Sequence, residues 1–150
     1  MVAFTAYALN ATYTSAGETI QFEQVVTNIG AAFDNATGLF TCPVDGVYLF
    51  YASIHSQNGS HGVGDIYKGD EYLVTVYTSD ASEGQSDNLV ITECSSSTAV
   101  SVRTKMDDDN KVVGGDVRRG TTFSGYLLGQ TVLASADGKL QCISEAFFMR

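Results

Sequence analysis

Apolar and polar positions alternate with a period of two along most of the chain, the pattern of strands that bury one face and expose the other. Such runs, bounded by turn residues, cover Val2–Leu9, Thr19–Thr27, Leu39–Cys42, Val47–Ser56, Tyr72–Thr78, Leu89–Cys94, Ala99–Met106 and Thr121–Leu128. Their spacing predicts an all-β domain built as a sandwich or jelly roll. In Gly46–Ile54, Tyr48, Phe50, Ala52 and Ile54 share one face while Val47, Leu49 and Tyr51 share the other. A strand apolar on both faces sits either at the centre of a packed sandwich or against another subunit. The pattern changes in Gln130–Arg150, where a turn signal at Asp137-Gly138 precedes Lys139–Ile143 and the apolar Ala146-Phe147-Phe148. This segment reads either as a closing hairpin strand or as a tail that docks elsewhere.

Composition narrows the class. The 150 residues suit one domain, with no internal repeat, low-complexity tract or linker. Eight Phe, eight Tyr, fifteen Gly and a single Pro favour strands and turns over long helices. The longest apolar stretches fall short of the ~20 residues that span a bilayer, so a soluble or peripheral chain is expected. Seventeen acidic against eight basic residues leave a net charge of −9, which repels nucleic acid and anionic lipid. A bound cation would bridge such a surface to an anionic ligand. Sequons begin at Asn10, Asn35 and Asn58, whereas six Asn among 29 Ser plus Thr would give roughly one by chance, which leans towards an extracellular protein. Met1 runs directly into an expected strand, so a secretion signal was removed or never present. Cys42, Cys94 and Cys142 allow one disulfide with a thiol left over, or none.

From Ile20 the chain reads Ile-x-Phe-x-x-Val-x-x-Asn-x-Gly-x-x-Phe-Asp-x-x-x-Gly-x-Phe-x-Cys-Pro-x-x-Gly-x-Tyr-x-Phe, ending at Phe50. Ala3-Phe4-Thr5-Ala6 opens the chain, and Thr122-Phe123-Ser124-Gly125-Tyr126-Leu127-Leu128 closes it. Taken together these blocks resemble the globular-head domain of the complement C1q family, over about residues 2–129. The resemblance implies a two-sheet jelly roll similar to the tumour necrosis factor fold, assembled as a homotrimer. It divides the chain into a C1q-like domain, 1–129, and a C-terminal extension, 130–150, packed on or trailing it. Phe4, Phe22, Asn28, Gly30, Phe33, Gly38, Phe40, Pro43, Gly46, Tyr48, Phe50, Phe123, Gly125 and Leu127 read as scaffold, because the set is mainly aromatic and glycine. One departure is Ser97-Thr98, which stands where the family usually has Gly-Asp in a turn.

The same resemblance implies loop-borne recognition and no enzymatic activity. Calcium-binding members take ligands from the loop before the strand that begins here near Leu89; in this chain it carries Asp80, Glu83, Gln85 and Asp87. Asp80 and Asp87 are therefore expected calcium ligands near a three-fold axis, where three copies supply the oxygens that one loop lacks. A solvated acidic loop without an ion is the plainer reading. Asp107-Asp108-Asp109 reads as a solvated hairpin tip or as a ligand-binding run, and it lacks the spacing of an EF-hand. Arg118-Arg119 suits bidentate bonds to acidic sugars, and surface solubility explains the pair equally well. His55 and His61 match no zinc spacing, and hydrolase and nucleotide-binding signatures are absent. Pairing of Cys42 with Cys94 is left open, and Cys142 reads as a free or intersubunit thiol. The resulting expectation is a secreted, extracellular, trimeric, lectin-like pattern-recognition module of innate immunity that binds glycans or microbial surface molecules. The alternative is a receptor-binding ligand similar to tumour necrosis factor, or an acidic calcium-binding matrix protein.

Overall fold

The computed structural model describes residues 1–9, 12–13, 15–57, 59–79, 84–105, 111–115, 118–133 and 140–143. Its strands are β1 (Ala3–Tyr7), β2 (Thr12–Tyr13), β3 (Gln24–Ile29), β4 (Phe33–Asp34), β5 (Leu39–Thr41), β6 (Gly46–Ser56), β7 (Gly62–Lys68), β8 (Glu71–Thr78), β9 (Gly84–Cys94), β10 (Ala99–Thr104), β11 (Val112–Val113), β12 (Thr122–Leu133) and β13 (Leu140–Ile143). They form two antiparallel sheets. In the first, β3, β1, β12 and β6 lie in that order, β9 pairs along β6, and β11 with β2 extends the sheet from the far end of β6. The second runs β4-β5-β10-β7-β8.

The expected alternation appears directly in β6. Tyr48, Phe50, Ala52 and Ile54 are fully buried between the sheets, while Val47, Leu49 and Tyr51 lie half-buried on the outer face. Around them an aromatic cluster fills the core. The Phe123 ring lies 4.8 Å edge-on from Phe4, 5.5 Å from Phe22, 6.2 Å from Phe50 and 6.3 Å from Phe33. Offset and edge-on pairs of this kind add attraction beyond the area they bury. Asn28 pins the turn from β3 into β4, its amide donating to the Phe33 carbonyl at 2.8 Å and its carbonyl accepting the Phe33 N–H at 3.2 Å. Gly38 has φ +75°, and a Cβ there would collide with the Ile20 carbonyl. These scaffold residues hold the layers together.

Several boundaries differ from the sequence reading. The run expected over Thr19–Thr27 becomes a strand only from Gln24, with one isolated bridge between Thr19 and Arg103. Ile20 and Phe22 are fully buried, yet their segment crosses from β10 in one sheet to β1 in the other. Its backbone is satisfied off the ladder, with the Ile20 N–H on the Val102 carbonyl and the Gln21 N–H on the Tyr13 hydroxyl. Alternation here reports burial without strand pairing. Strand β7 escaped the pattern because Gly62 and Gly64 take core-facing places that the Ile54 side chain fills; a Cβ added at either would lie only 3.0 Å or 2.9 Å from it. In the end segment β12 continues to Leu133 and β13 pairs antiparallel with it, Leu133 opposite Leu140, while Asp137-Gly138 and Ala146-Phe147-Phe148 lie outside the described residues.

Cys42 and Cys94 form a disulfide with a Cα separation of 6.4 Å. It ties the end of β9, in the first sheet, to the chain leaving β5, in the second. Ser97 adopts φ +69°, so the turn remains left-handed although a serine occupies it. Hydrogen bonds to the Cys42–Asp45 segment hold that turn, including the Ser96 N–H on Asp45 Oδ1 at 2.6 Å and the Ser97 N–H on the Cys42 carbonyl at 2.8 Å. Cys142 lies opposite Thr131 along the backbone, and its side chain is outside the described ones.

Candidate functional site

The outer face of the first sheet is built by cross-strand register. One row reads Ile29, Ala3, Tyr126, Leu49, Ile91; the next reads Thr27, Thr5, Ser124, Tyr51, Leu89. Tyr126 is 44% exposed, Leu89 52% and Ile91 57%. A shallow depression of about 550 Å³ opens on this face, lined by Met1, Val2, Thr27, Leu49, Tyr51 and Tyr126 among others. Contiguous exposed apolar side chains on a well-packed sandwich mark an interaction surface. This second apolar face of β6 is what its sequence foreshadowed.

At one end of the face the rows turn polar. Tyr51 donates to Asp87 Oδ2 at 3.0 Å, and burial together with that carboxylate pushes the phenol's pKa up. Ser53, fully buried, donates to the Gly120 carbonyl at 2.8 Å and accepts from Gln85 Nε2 at 3.0 Å. Thr121 Oγ1 accepts the His55 N–H and donates to the Val113 carbonyl. These bonds fix Gln85 and Asp87 on β9 beside the Arg118–Thr121 connection.

The outer face of the second sheet carries a cluster that sequence reasoning missed. Arg103 sits 4.5 Å over the Tyr67 ring, Tyr67 meets Tyr72 edge-on at 6.0 Å, and Arg103 donates to the Gly69 carbonyl at 2.8 Å. Asp65, 5% exposed, accepts from Thr75 Oγ1 at 2.6 Å, which in turn bonds the Tyr72 hydroxyl at 2.8 Å. Its members lie on three strands, so only the register of β10, β7 and β8 brings them together.

The family model for the C1q domain matches residues 3–128. The chain belongs to the C1q domain family. Curated relatives include complement C1q tumor necrosis factor-related protein 3 of Mus musculus, 37% identical over 75% of this chain and 45% of that protein. Related protein 1 of Mus musculus is 32% identical over 73% of this chain and 40% of that protein. This C1q domain thus spans less than half the length of the curated relatives it matches. Among solved structures, the globular domain of zebrafish complement 1qA is similar with TM-score 0.69 and 16% identity, covering 87% of this chain and 99% of that one. Eiger TNF from S. frugiperda follows with TM-score 0.68 and 12% identity, covering 92% and 97%. At such identities these two likenesses speak for the jelly-roll fold alone, which the two-sheet architecture of this C1q domain shares.

Within this C1q domain the expected site residues separate. Asp87 belongs to the polar end just described, whereas Asp80 and Glu83, and the Asp107-Asp108-Asp109 run, lie outside the described residues. Arg118 and Arg119 are exposed in the connection before β12. The Arg119 guanidinium lies 4.7 Å over the Tyr7 ring, and its backbone is left-handed at φ +49°. His61 stacks on Tyr77 with ring centroids 6.0 Å apart. Among the described residues no three His, Cys, Asp or Glu side chains converge, and no helix is long and apolar enough to cross a membrane.

Proposed function

We propose that this C1q domain is a secreted, non-enzymatic recognition module that assembles as a homotrimer and binds glycans or microbial surface molecules through its exposed loops. The observation that carries assembly is the outer face of the first sheet, where Ile29, Ala3, Tyr126, Leu49 and Ile91 form one cross-strand row. Packing such rows together removes apolar area from water at about 25 cal/mol per Å². Three equivalent loop sets then convert weak single contacts into avidity. Arg118 and Arg119 are the proposed contacts for acidic sugars, with the Asp107–Asp109 run as a further set of ligand-binding candidates. Calcium takes six to eight oxygen ligands, and the Asp87 carboxylate, which accepts one bond from Tyr51 on Oδ2, has further lone pairs to offer. In this reading any calcium is shared between copies, with Asp80 and Asp87 as its ligands.

Light scattering of the purified chain, with calcium and then with chelator, tests assembly. A mass three times that of the chain is expected, and Ile91→Asp with Leu49→Asp should reduce it to one while the far-UV spectrum holds. A wild-type monomer under both conditions would end the assembly reading. A glycan and polysaccharide array tests the ligand class. A trimer that binds none of these, yet captures one protein receptor selectively, would transfer the chain to the signalling-ligand alternative.

A further inference from the structure

We infer that Asn35 is a site of N-linked glycosylation. The sequon Asn35-Ala36-Thr37 occupies the turn between β4 and β5, and all three residues are exposed. The turn is shaped by its neighbours. Asp34 accepts the Ala36 N–H on Oδ1 at 2.9 Å, the Thr37 hydroxyl on Oδ2 at 3.0 Å and the Gly38 N–H on its carbonyl at 2.8 Å. Gly38 supplies the left-handed residue. Asn35 is therefore spared from holding the loop.

Its amide makes one bond, donating from Nδ2 to the Glu23 carbonyl at 3.0 Å. A primary amide carries two hydrogens. In the transfer, Nδ2 forms a C–N bond to the anomeric carbon of a lipid-linked oligosaccharide, the lipid diphosphate leaves, and one amide proton is lost. One N–H remains on Nδ2, and the hydrogen bonds that shape the turn, those accepted by Asp34, do not use the Asn35 side chain. The location also suits a bulky group. Glu23 precedes the Gln24 end of the edge strand β3, whereas the exposed apolar row crosses β3 at Ile29, its opposite end. A glycan on Asn35 thus leaves the proposed assembly face open.

The inference rests on the secreted reading, and the test separates the two. The chain is expressed behind a secretion signal in mammalian cells, and the Asn35 peptide is analysed by mass spectrometry after enzymatic glycan release, from both the medium and the endoplasmic reticulum. Recovery of that peptide deamidated at Asn35 is expected, with the signal lost in Asn35→Gln and Thr37→Ala and kept in Thr37→Ser. Chain from either compartment with Asn35 bare would overturn the inference. Occupied Asn35 in chain that never reaches the medium supports the modification and counts against secretion alone.

Discussion

Breaking the link between Cys42 and Cys94 should lower stability by about 2–4 kcal/mol. The two residues are 52 apart in sequence, and closing a loop of that size removes about 4 kcal/mol of denatured-chain entropy at ~25 °C. The lower bound allows for residual structure in the reduced, unfolded chain. Both cysteines are buried, so reduction also leaves two thiols in the core, where they pack as small apolar groups. Urea denaturation of the wild type with and without reductant, beside the double variant Cys42→Ala and Cys94→Ala, measures the effect. At about 1–3 kcal/mol per M of urea for a chain of this class, the midpoint should fall by about 0.7 M or more. Repeating the series at several protein concentrations separates subunit dissociation from unfolding. The double substitution should cost at least as much as reduction, because it also removes two buried sulfur atoms. A midpoint indifferent to reductant, or a double variant more stable than the reduced wild type, would refute the reasoning.

Other parts of the fold yield sharper local tests. Phe123→Ala removes the ring shared by Phe4, Phe22, Phe33 and Phe50 and should cost about 3–5 kcal/mol in the same urea assay, whereas Leu128→Ala on the surface should cost far less. Ser97→Gly should raise stability by about 0.5–1 kcal/mol, because a left-handed residue at φ +69° is relieved of its Cβ; a lowered urea midpoint would contradict that account. Tyr13 is pushed up to about 12 chiefly by burial, and its hydroxyl donates to the Gln21 carbonyl at 3.0 Å. A folded pKa above the unfolded value near 10 means this contribution is whole below pH 10 and is lost as pH rises towards 12. Ultraviolet titration should show Tyr13 among the tyrosines that ionise late, with Tyr48 and Tyr51, and Tyr13→Phe should lower that late amplitude by one phenol.

Strands such as β6 were legible because their burial alternates with the backbone's own period, and the aromatic–glycine blocks from Ile20 to Phe50 and around Phe123 pointed to the family on their own. Local chemistry also signalled a turn at Asp137-Gly138, though not whether the strand after it would fold back. What depended on the third dimension was every relation between distant strands. Gly62 and Gly64 look like loop residues until Ile54 is seen filling the space above them. Ile20 and Phe22 alternate like a strand while crossing between sheets. Arg103, Tyr67 and Tyr72 meet only through register, as do Leu49, Ile91 and Tyr126 on the outer face. Periodicity is a property of consecutive residues, so one chain segment carries it; pairing between strands far apart in the chain is set by how whole sheets stack, and no short stretch encodes that.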